Sequence, residues 1–542
     1  MRAKGSITVF AALALMLVAS FLFALLEAGR VYGLDTRADM VSQLSLESVC
    51  AEYQSGLWED YHLLCLDGAY GGDSFSMEYV SSTLNGRVKR NLGGENSFFN
   101  MTLEEAEPVE YQLLTDGDGT VFLKRVVKYM KENLPAEAAK LIYEKYLQGD
   151  AVEQEGIPED SVEAAQKAIE DAREQMEKGT DGEVSKVQAE KGAEGVAAEV
   201  QAEMGLVGVA TKVQIEKGTD GESEKFVETA AGGNSESTDG NTQQESTIEV
   251  ENPLEIVLKI KQNALLGLVV EDTGGLSTKE VDLSEGLLKR ECLQGTDTGE
   301  EDIGWYEKIL VLEYLDGYFS DYNQPAEEHA LAYELEYVLC GKESDAANLE
   351  GVVKRLLLVR EAANVAHILA DTVKREEAMM VATSLAGFTG NPAVVKVVQI
   401  GVVAAWAYVE SLLDIRALLA GDKIALIKSD AQWTVQTENL LESFEMSAKA
   451  KNCTNGLSYQ SYLKQFLFFM DQSKLAYRMM DMIEQNLRLS PEYEECRMDY
   501  MICRIKYQLQ YSAKPLFSGI SVLGRLNAQY LDFCETTQFS YY

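Results

Sequence analysis

The sequence predicts an α+β protein dominated by helix, and three observations predict it. Residues Ile7 to Leu26 form an apolar run of twenty residues without a charge directly behind a basic end. Residues 151–250 hold 24 acidic and 8 basic residues and a single aromatic, Phe226. Beyond Asn252 the apolar positions recur at helical spacing until Met501, where the period drops to two. The expected order is a basic leader and transmembrane helix (1–30), a stalk helix with a mixed membrane-proximal α/β segment (31–150), a disordered acidic spacer (151–250) and a mainly helical extracytoplasmic domain with at least one strand (251–542).

Twenty helical residues at about 1.5 Å each match the ~30 Å hydrocarbon core of a bilayer. The run exceeds the roughly 7 to 15 apolar residues of a cleaved secretory signal, and no small-x-small cleavage site follows it. Arg2 and Lys4 precede the run, whereas Glu27 and Arg30 cancel behind it. The positive-inside bias then places the N-terminus in the cytoplasm and the bulk outside, as a single-pass cell-membrane protein.

After Arg30, the residues Val41, Leu44, Val49 and Tyr53 recur at three to five residues, which predicts that the helix continues outward as an amphipathic stalk ending near the glycines at 68, 71 and 72. A strand is expected over Val109–Leu113, a turn at Asp116-Gly117-Asp118-Gly119 and a helix over Val121–Glu132. Asp116, Asp118 and Thr120 start like a calcium loop, but Val121 takes the place of the required glycine and Val127 that of the bidentate glutamate, so an ordinary turn is expected.

The spacer lacks the apolar surface needed to offset chain entropy, apart from an expected helix over Asp160–Lys178. It carries a duplication, with Lys186–Gly192 echoed by Lys212–Gly218, and EKGTDGE at 177–183 and again at 216–222. Two copies are too few for a solenoid.

In the distal domain, Asn252-Pro253 and Asn391-Pro392 each place a capping residue before a proline at the first helical position. They predict helices over Leu254–Val270 and from Asn391 to Leu419, the second stopped by Gly421. Further helices are expected over Glu327–Cys340, Asp345–Val373 behind Ser344, Arg375–Leu385, and Tyr459–Leu487 behind Ser458. Met501, Cys503, Ile505, Tyr507, Leu509 and Tyr511 alternate with polar residues as a half-buried strand, with partners sought in residues 90–114 or 265–285. Val394–Val409 is apolar enough to suggest a second span. Lys396, Gln399 and Glu410 leave only ten residues free of strong polarity, so the segment is expected to be a core helix around Trp406.

A formal charge of −40, from 48 Lys plus Arg against 88 Asp plus Glu, argues against nucleic-acid binding, which needs cations to replace counterions. The eight cysteines, at 50, 65, 292, 340, 453, 496, 503 and 534, show no CxxC spacing and no neighbouring histidine, which leaves disulfides or buried free thiols and no zinc site. The three histidines, His62, His329 and His367, lie in no nucleophile motif, and no Walker loop, GxGxxG or HExxH occurs. Glu334 and Glu336, two apart on a helix, face different ways, so Glu334 is expected to pair with Arg355 or Arg360 instead. No catalytic, cofactor or metal set emerges, and the chain reads as a non-enzyme.

The start of the chain is a basic leader ending in Gly5, then Ser6-Ile-Thr-Val-Phe10, the apolar run and the exit Glu27-Ala-Gly-Arg30. It resembles Flp/Tad-type pseudopilins and the TadE/TadG-like membrane proteins encoded with them, with Phe10 where typical pilins carry a glutamate. The resemblance implies prepilin-type cleavage between Gly5 and Ser6. The runs Leu331–Lys342, Arg355–Asn364, Gly390–Ala393 and Leu412–Leu419 resemble an uncharacterised family of bacterial membrane-anchored proteins, mostly from Gram-positive anaerobes, found with Tad-like pilus genes. Together the resemblances imply a structural or assembly component of a Tad-like surface pilus, with the bilayer and pilus assembly proteins as partners and no established activity. The alternative is a surface binding or sensor module in which Tyr333, Tyr337, Tyr408, Tyr459 and Tyr462 hold a wall polymer or peptide.

Mass spectrometry of the membrane-extracted protein is expected to show either the intact start or a new N-terminus at Ser6. An N-terminus beyond Leu26 would show a cleaved signal and a released protein.

Overall fold

Helix α1 (Ala3–Cys50) runs 48 residues without a break. The computed structural model describes residues 3–93, 98–133, 265–297, 302–437, 448–516 and 530–541. Most apolar side chains of α1 between Val9 and Leu26 stand exposed, and no residue of its most apolar window is buried. From Arg30 onward burial recurs at Leu34, Ala38, Val41, Ser42, Ser45, Leu46 and Val49, steps of three and four that mark one helical face. One helix therefore has an exposed apolar end and a packed end. It stops at Cys50, well short of residue 68. Gln54 then accepts from the Leu57 amide to cap α2 (Ser55–Tyr61), and His62 closes that helix at φ +56°.

The packed end of α1 lies with α3 (Met77–Leu92) on one face of an antiparallel sheet. Strand β3 (Met501–Ala513) is its centre. One edge of β3 pairs with β2 (Met101–Leu113), Met101 opposite Ala513 and Leu113 opposite Ile502. The other pairs with β4 (Leu531–Ser540) from Ala513 to Arg504 and then with the short β1 (Leu66–Asp67) at Ile502 and Met501. The alternation read from the sequence holds from Arg504 onward, since Ile505, Tyr507, Leu509 and Tyr511 are buried against α1 and α3 while Arg504, Lys506, Gln508 and Gln510 are not; ahead of it all three residues are buried, Ile502 in this core and Met501 and Cys503 in the helical one. Within this core the Tyr511 hydroxyl shares a 2.7 Å hydrogen bond with Ser42 and the Tyr507 hydroxyl a 2.8 Å bond with Ser81.

A second, larger core gathers α2, α4 (Thr120–Asn133), α5 (Leu265–Val269), α6 (Trp305–Tyr318), α7 (Glu334–Cys340), α8 (Asp345–Ala370), α9 (Thr372–Ala386), α10 (Pro392–Leu419), α11 (Tyr459–Phe468) and α12 (Gln472–Leu487). The α+β, helix-dominated class is thus as the sequence predicts. The cores do not follow sequence order: the sheet joins strands from both ends of the chain, and α2 and α4 belong with the distal helices.

Several boundaries differ from expectation for identifiable reasons. The helix expected from Glu327 begins at Glu334, because the Lys279 ammonium holds the carbonyls of Ala326, Glu327 and His329 in a non-helical strap. The helix expected over Tyr459–Leu487 breaks at Phe469–Asp471, where Asp471 accepts from the Lys474 amide and starts α12. Helix α6 and strand β4 were not foreseen. Of the helix expected over Leu254–Val270, only 265–270 falls among the described residues, helical over Leu265–Val269, and the acidic spacer with its expected helix at 160–178 lies outside them.

The rival span Val394–Val409 belongs to α10, which is packed against α8 and α9 and is buried from Val402 to Leu419 save for the partly covered Ala404. At its centre Trp406 donates its indole N–H to the Val435 carbonyl at 2.9 Å and meets Trp433 edge to face. Replacing Trp406 with Asp buries an unpaired charge, a cost of several kcal/mol against the roughly 5 to 15 kcal/mol that holds a domain. Trp406→Asp is expected to abolish cooperative unfolding of the helical core in the detergent-solubilised full chain, followed by circular dichroism. Wild-type melting combined with lost membrane retention would instead make α10 a membrane contact.

Candidate functional site

Where α1 leaves its exposed apolar stretch, a collar closes around it. Arg30 is buried. It donates from Nε to the Phe98 carbonyl at 3.0 Å, from Nη2 to the Phe99 carbonyl at 2.7 Å and from Nη1 to Glu27 at 3.0 Å. Glu27 also accepts from the Leu516 amide at 3.2 Å. The Phe99 ring lies on Gly33 so closely that a Cβ there would meet ring carbon Cε1 at 2.7 Å, and the Arg37 guanidinium stands 5.4 Å from the centre of the same ring. Gly5 and Ser6, the expected cleavage pair, lie near the start of α1.

A dense ionic cluster is sealed inside the helical core. Arg360 on α8 donates to Asp414 on α10 at 2.9 Å, to the Ala425 and Leu426 carbonyls and to the Tyr462 hydroxyl. Lys428 bridges Asp414 and Glu410, and Glu410 also accepts from the Thr434 and Val435 amides. Asn364 donates to Ser411 and Asp414. Burial alone would raise the Asp414 pKa, but the Arg360 and Lys428 cations hold it below the ordinary carboxylate range. With Arg360, Glu410 and Asp414 at 0 % exposure and Lys428 at 2 %, the cluster ties three segments together and meets no solvent-borne reactant.

Glu334 and Glu336 do point apart, but the expected ion pair of Glu334 with Arg355 or Arg360 is not made. Glu334 accepts from the Ser320 amide and hydroxyl and meets His329 at 2.9 Å, while Arg355 donates to the Leu339 carbonyl. Helix α7 turns Glu334 toward the residue 320 strap and away from α8, so both arginines find other acceptors. Glu336 accepts from the Tyr322 amide and the Tyr459 hydroxyl through one oxygen, and its other oxygen is buried without a hydrogen-bond partner among the described residues. Burial pushes its pKa up to about 8.

The five tyrosines expected to hold a wall polymer or peptide, Tyr333, Tyr337, Tyr408, Tyr459 and Tyr462, are all buried. Tyr337 donates to Asp481, Tyr459 to Glu336, and Tyr333 and Tyr462 accept from the Ser277 amide and Arg360. They do not form a surface. His367, Asp371 and Asp430 gather within 4.8 Å, but the Lys374 ammonium pairs with both aspartates and already supplies the positive charge there. Asp116 spends its carboxylate on the Leu113 and Gly295 amides, as a turn residue does. Gly119 in that turn, at φ +83°, leaves room for the Ala476 methyl, which an added Cβ would meet at 2.5 Å. All eight cysteines are free thiols, and burial raises Cys50 and Cys496 to about 12 and Cys503 to about 11.

A cavity of about 210 Å³ opens beside α2 and α4, lined by Trp58, His62, Leu63, Arg125, Tyr129 and Glu132 among others. The His62 ring stands 5.3 Å from Trp58, 5.3 Å from Tyr129 and 5.7 Å from Tyr318, centre to centre. Arg125 reaches the Tyr541 carbonyl at 2.7 Å from one edge of this group. The sequence reading missed this cavity because its walls come from segments more than sixty residues apart; the closely spaced Trp58 and His62 were its only local trace.

Compared with known proteins, residues 243–513 match a family model described as a family of unknown function (DUF5702). No curated protein and no solved structure matches the chain.

A carboxyl whose folded pKa exceeds its unfolded value retains its proton in the folded state, so the stability it allows is complete below the unfolded pKa, near 4.5, and is lost as pH rises toward about 8. Glu336→Gln removes that loss while keeping the shape. Its Tm is expected to match wild type at pH 5 and to exceed it by a few degrees at pH 9, measured by scanning calorimetry.

Proposed function

The chain belongs to the DUF5702 family of unknown function, and from that premise we propose that it is a single-pass, outward-facing structural or assembly component of a Tad-like surface-pilus apparatus, without catalytic activity. The observation that carries the reading is α1, whose exposed apolar end and packed outer end make one rigid element out of the anchor and the core. Arg2 and Lys4 ahead of the span and the net charge of −40 favour an exterior location for the globular part. The pilus context rests on the resemblance of Gly5 to Phe10 and Glu27 to Arg30 to pseudopilin starts. A scaffold role also accords with where the charged clusters lie, since Arg360, Glu410, Asp414 and Lys428 cross-link elements inside the core.

A second reading, a surface binding module, is favoured by the cavity at Trp58, His62 and Tyr129, where aromatic faces and the nearby Arg125 guanidinium suit a sugar or a peptide side chain. The five buried tyrosines do not contribute to it.

In-frame deletion in a piliated host separates the two. Loss of surface filaments, with protease on wall-stripped cells digesting the C-terminal part and sparing the N-terminus, is the expected result. Normal piliation in the deletion strain overturns the assembly role, and a protease-protected C-terminal tag overturns the orientation.

A further inference from the structure

The sheet has a membrane-facing end. Met101, Ala513 and Leu531 form one row across β2, β3 and β4. The residues just beyond that row are Phe98 before β2, Lys514 and Leu516 after β3, and Tyr530 before β4. Phe98 is tied to Arg30 through its carbonyl and Leu516 to Glu27 through its amide, so this end of the sheet sits at the level where α1 emerges from its apolar stretch. The opposite end of the sheet lies at the far end of α1, where the Tyr541 hydroxyl donates to the Cys50 carbonyl.

Height along α1 converts directly into depth. If Ile7–Leu26 fills the ~30 Å of hydrocarbon, the five residues from Glu27 to Val31 rise about 7 Å, the thickness of one headgroup layer. The groups bonded to Glu27 and Arg30 therefore lie in that layer. Their side chains suit it: Phe98 is 54 % exposed, Leu516 41 % and Tyr530 53 %, and the Lys514 ammonium lies 5.6 Å from the centre of the Tyr530 ring. Tyr32, exposed on α1 itself, lies at a similar height. Apolar and aromatic side chains beside a lysine are what a protein presents to the zone between lipid tails and water. In water the same row would be exposed apolar surface on a strongly acidic protein.

We infer that Phe98, Leu516 and Tyr530, with Lys514, form a lipid-binding foot that seats the globular part directly on the outer headgroup layer. The foot rests on the reading of Ile7–Leu26 as a membrane span. It gives the protein a second, peripheral contact with the bilayer and holds the sheet upright on the membrane, with β3 rising away from the surface.

The test uses the full chain reconstituted in phosphatidylcholine–phosphatidylglycerol vesicles with and without brominated phosphatidylcholine. Phe98→Trp, Leu516→Trp and Tyr530→Trp are each compared with wild type, whose four tryptophans give the background. Leu489→Trp, at an exposed position in the helical core, serves as the remote control. The added emission of the three foot variants is expected to be blue-shifted and at least two-fold more quenched by brominated lipid than that of Leu489→Trp. Three substitutions at exposed positions keep the outcome independent of any one variant's folding. Quenching no greater than the control, in vesicles from which carbonate does not extract the protein, overturns the foot and leaves the anchor standing. Extraction of the wild-type chain by carbonate overturns the anchor and the foot together.

Discussion

Strand β3 is hydrogen-bonded along both edges and covered on one face by α1, and the arrangement of the rest depends on that pairing. Its partners come from opposite ends of the chain, β2 at residues 101–113 and β4 at 531–540. An antiparallel ladder satisfies backbone groups only in register, and a slip of one residue would turn Ile505, Tyr507, Leu509 and Tyr511 away from α1. The C-terminus is thereby returned to the stalk helix. The helical core that falls between β2 and β3 in the chain is thus followed by two strands, β3 and β4, that return to the core around α1.

The helical core meets a different constraint. Helix α10 has the apolarity of a membrane span over part of its length, and what distinguishes it is the row Glu410, Asp414 and Arg416 on its later turns. Charges of this kind are costly in any low-dielectric surroundings unless partners stand at bonding distance. Here Arg360 comes from α8 and Lys428 from the loop after α10, while the Arg416 guanidinium reaches the Leu268 and Ala448 carbonyls. Partners drawn from three other segments make the helix a hub of a folded core. They also fix the register of α8 against α10, because removing either side of the Arg360–Asp414 pair would strand a buried charge at a cost of about 3 to 5 kcal/mol.

What was legible in the sequence was whatever depends on neighbours in the chain. Ser344 and Ser458 cap helices where expected, accepting from the Ala347 and Ser461 amides, and the two-residue period of β3 was plain. Its partner β2 falls within one of the two windows named for it. Helix α6 escaped notice because its apolar residues, Ile309 to Leu312 with Tyr314 and Leu315, wrap around its axis and leave no stripe to count. Strand β4 escaped because Asp532, Glu535, Thr536 and Gln538 make it read as a polar tail, which an edge strand with one solvated face resembles. Long-range pairing was the least legible. Glu334 was matched to Arg355 or Arg360 by charge alone, whereas the geometry gives Arg360 to Asp414. The available clue was Glu410 and Asp414 one helical turn apart in an apolar segment, a pattern that asks for buried cations.

The collar answers a mechanical question that the long helix raises. Gly29 and Gly33 are the two glycines of α1 nearest the point where it leaves its apolar stretch, and each weakens a helix by about 1 kcal/mol relative to alanine. Left alone, that turn would be the natural place for the globular part to swing relative to the apolar stretch of α1. Instead Arg30, between the two glycines, is held by two carbonyls and a carboxylate, and Gly33 is occupied by the Phe99 ring. The glycine that softens the helix is thus the one that allows the strap to approach it closely. Orientation of the sheet relative to the apolar stretch of α1 is accordingly set at residues 27–37, by contacts with residues 98–99 and with Leu516 beyond β3.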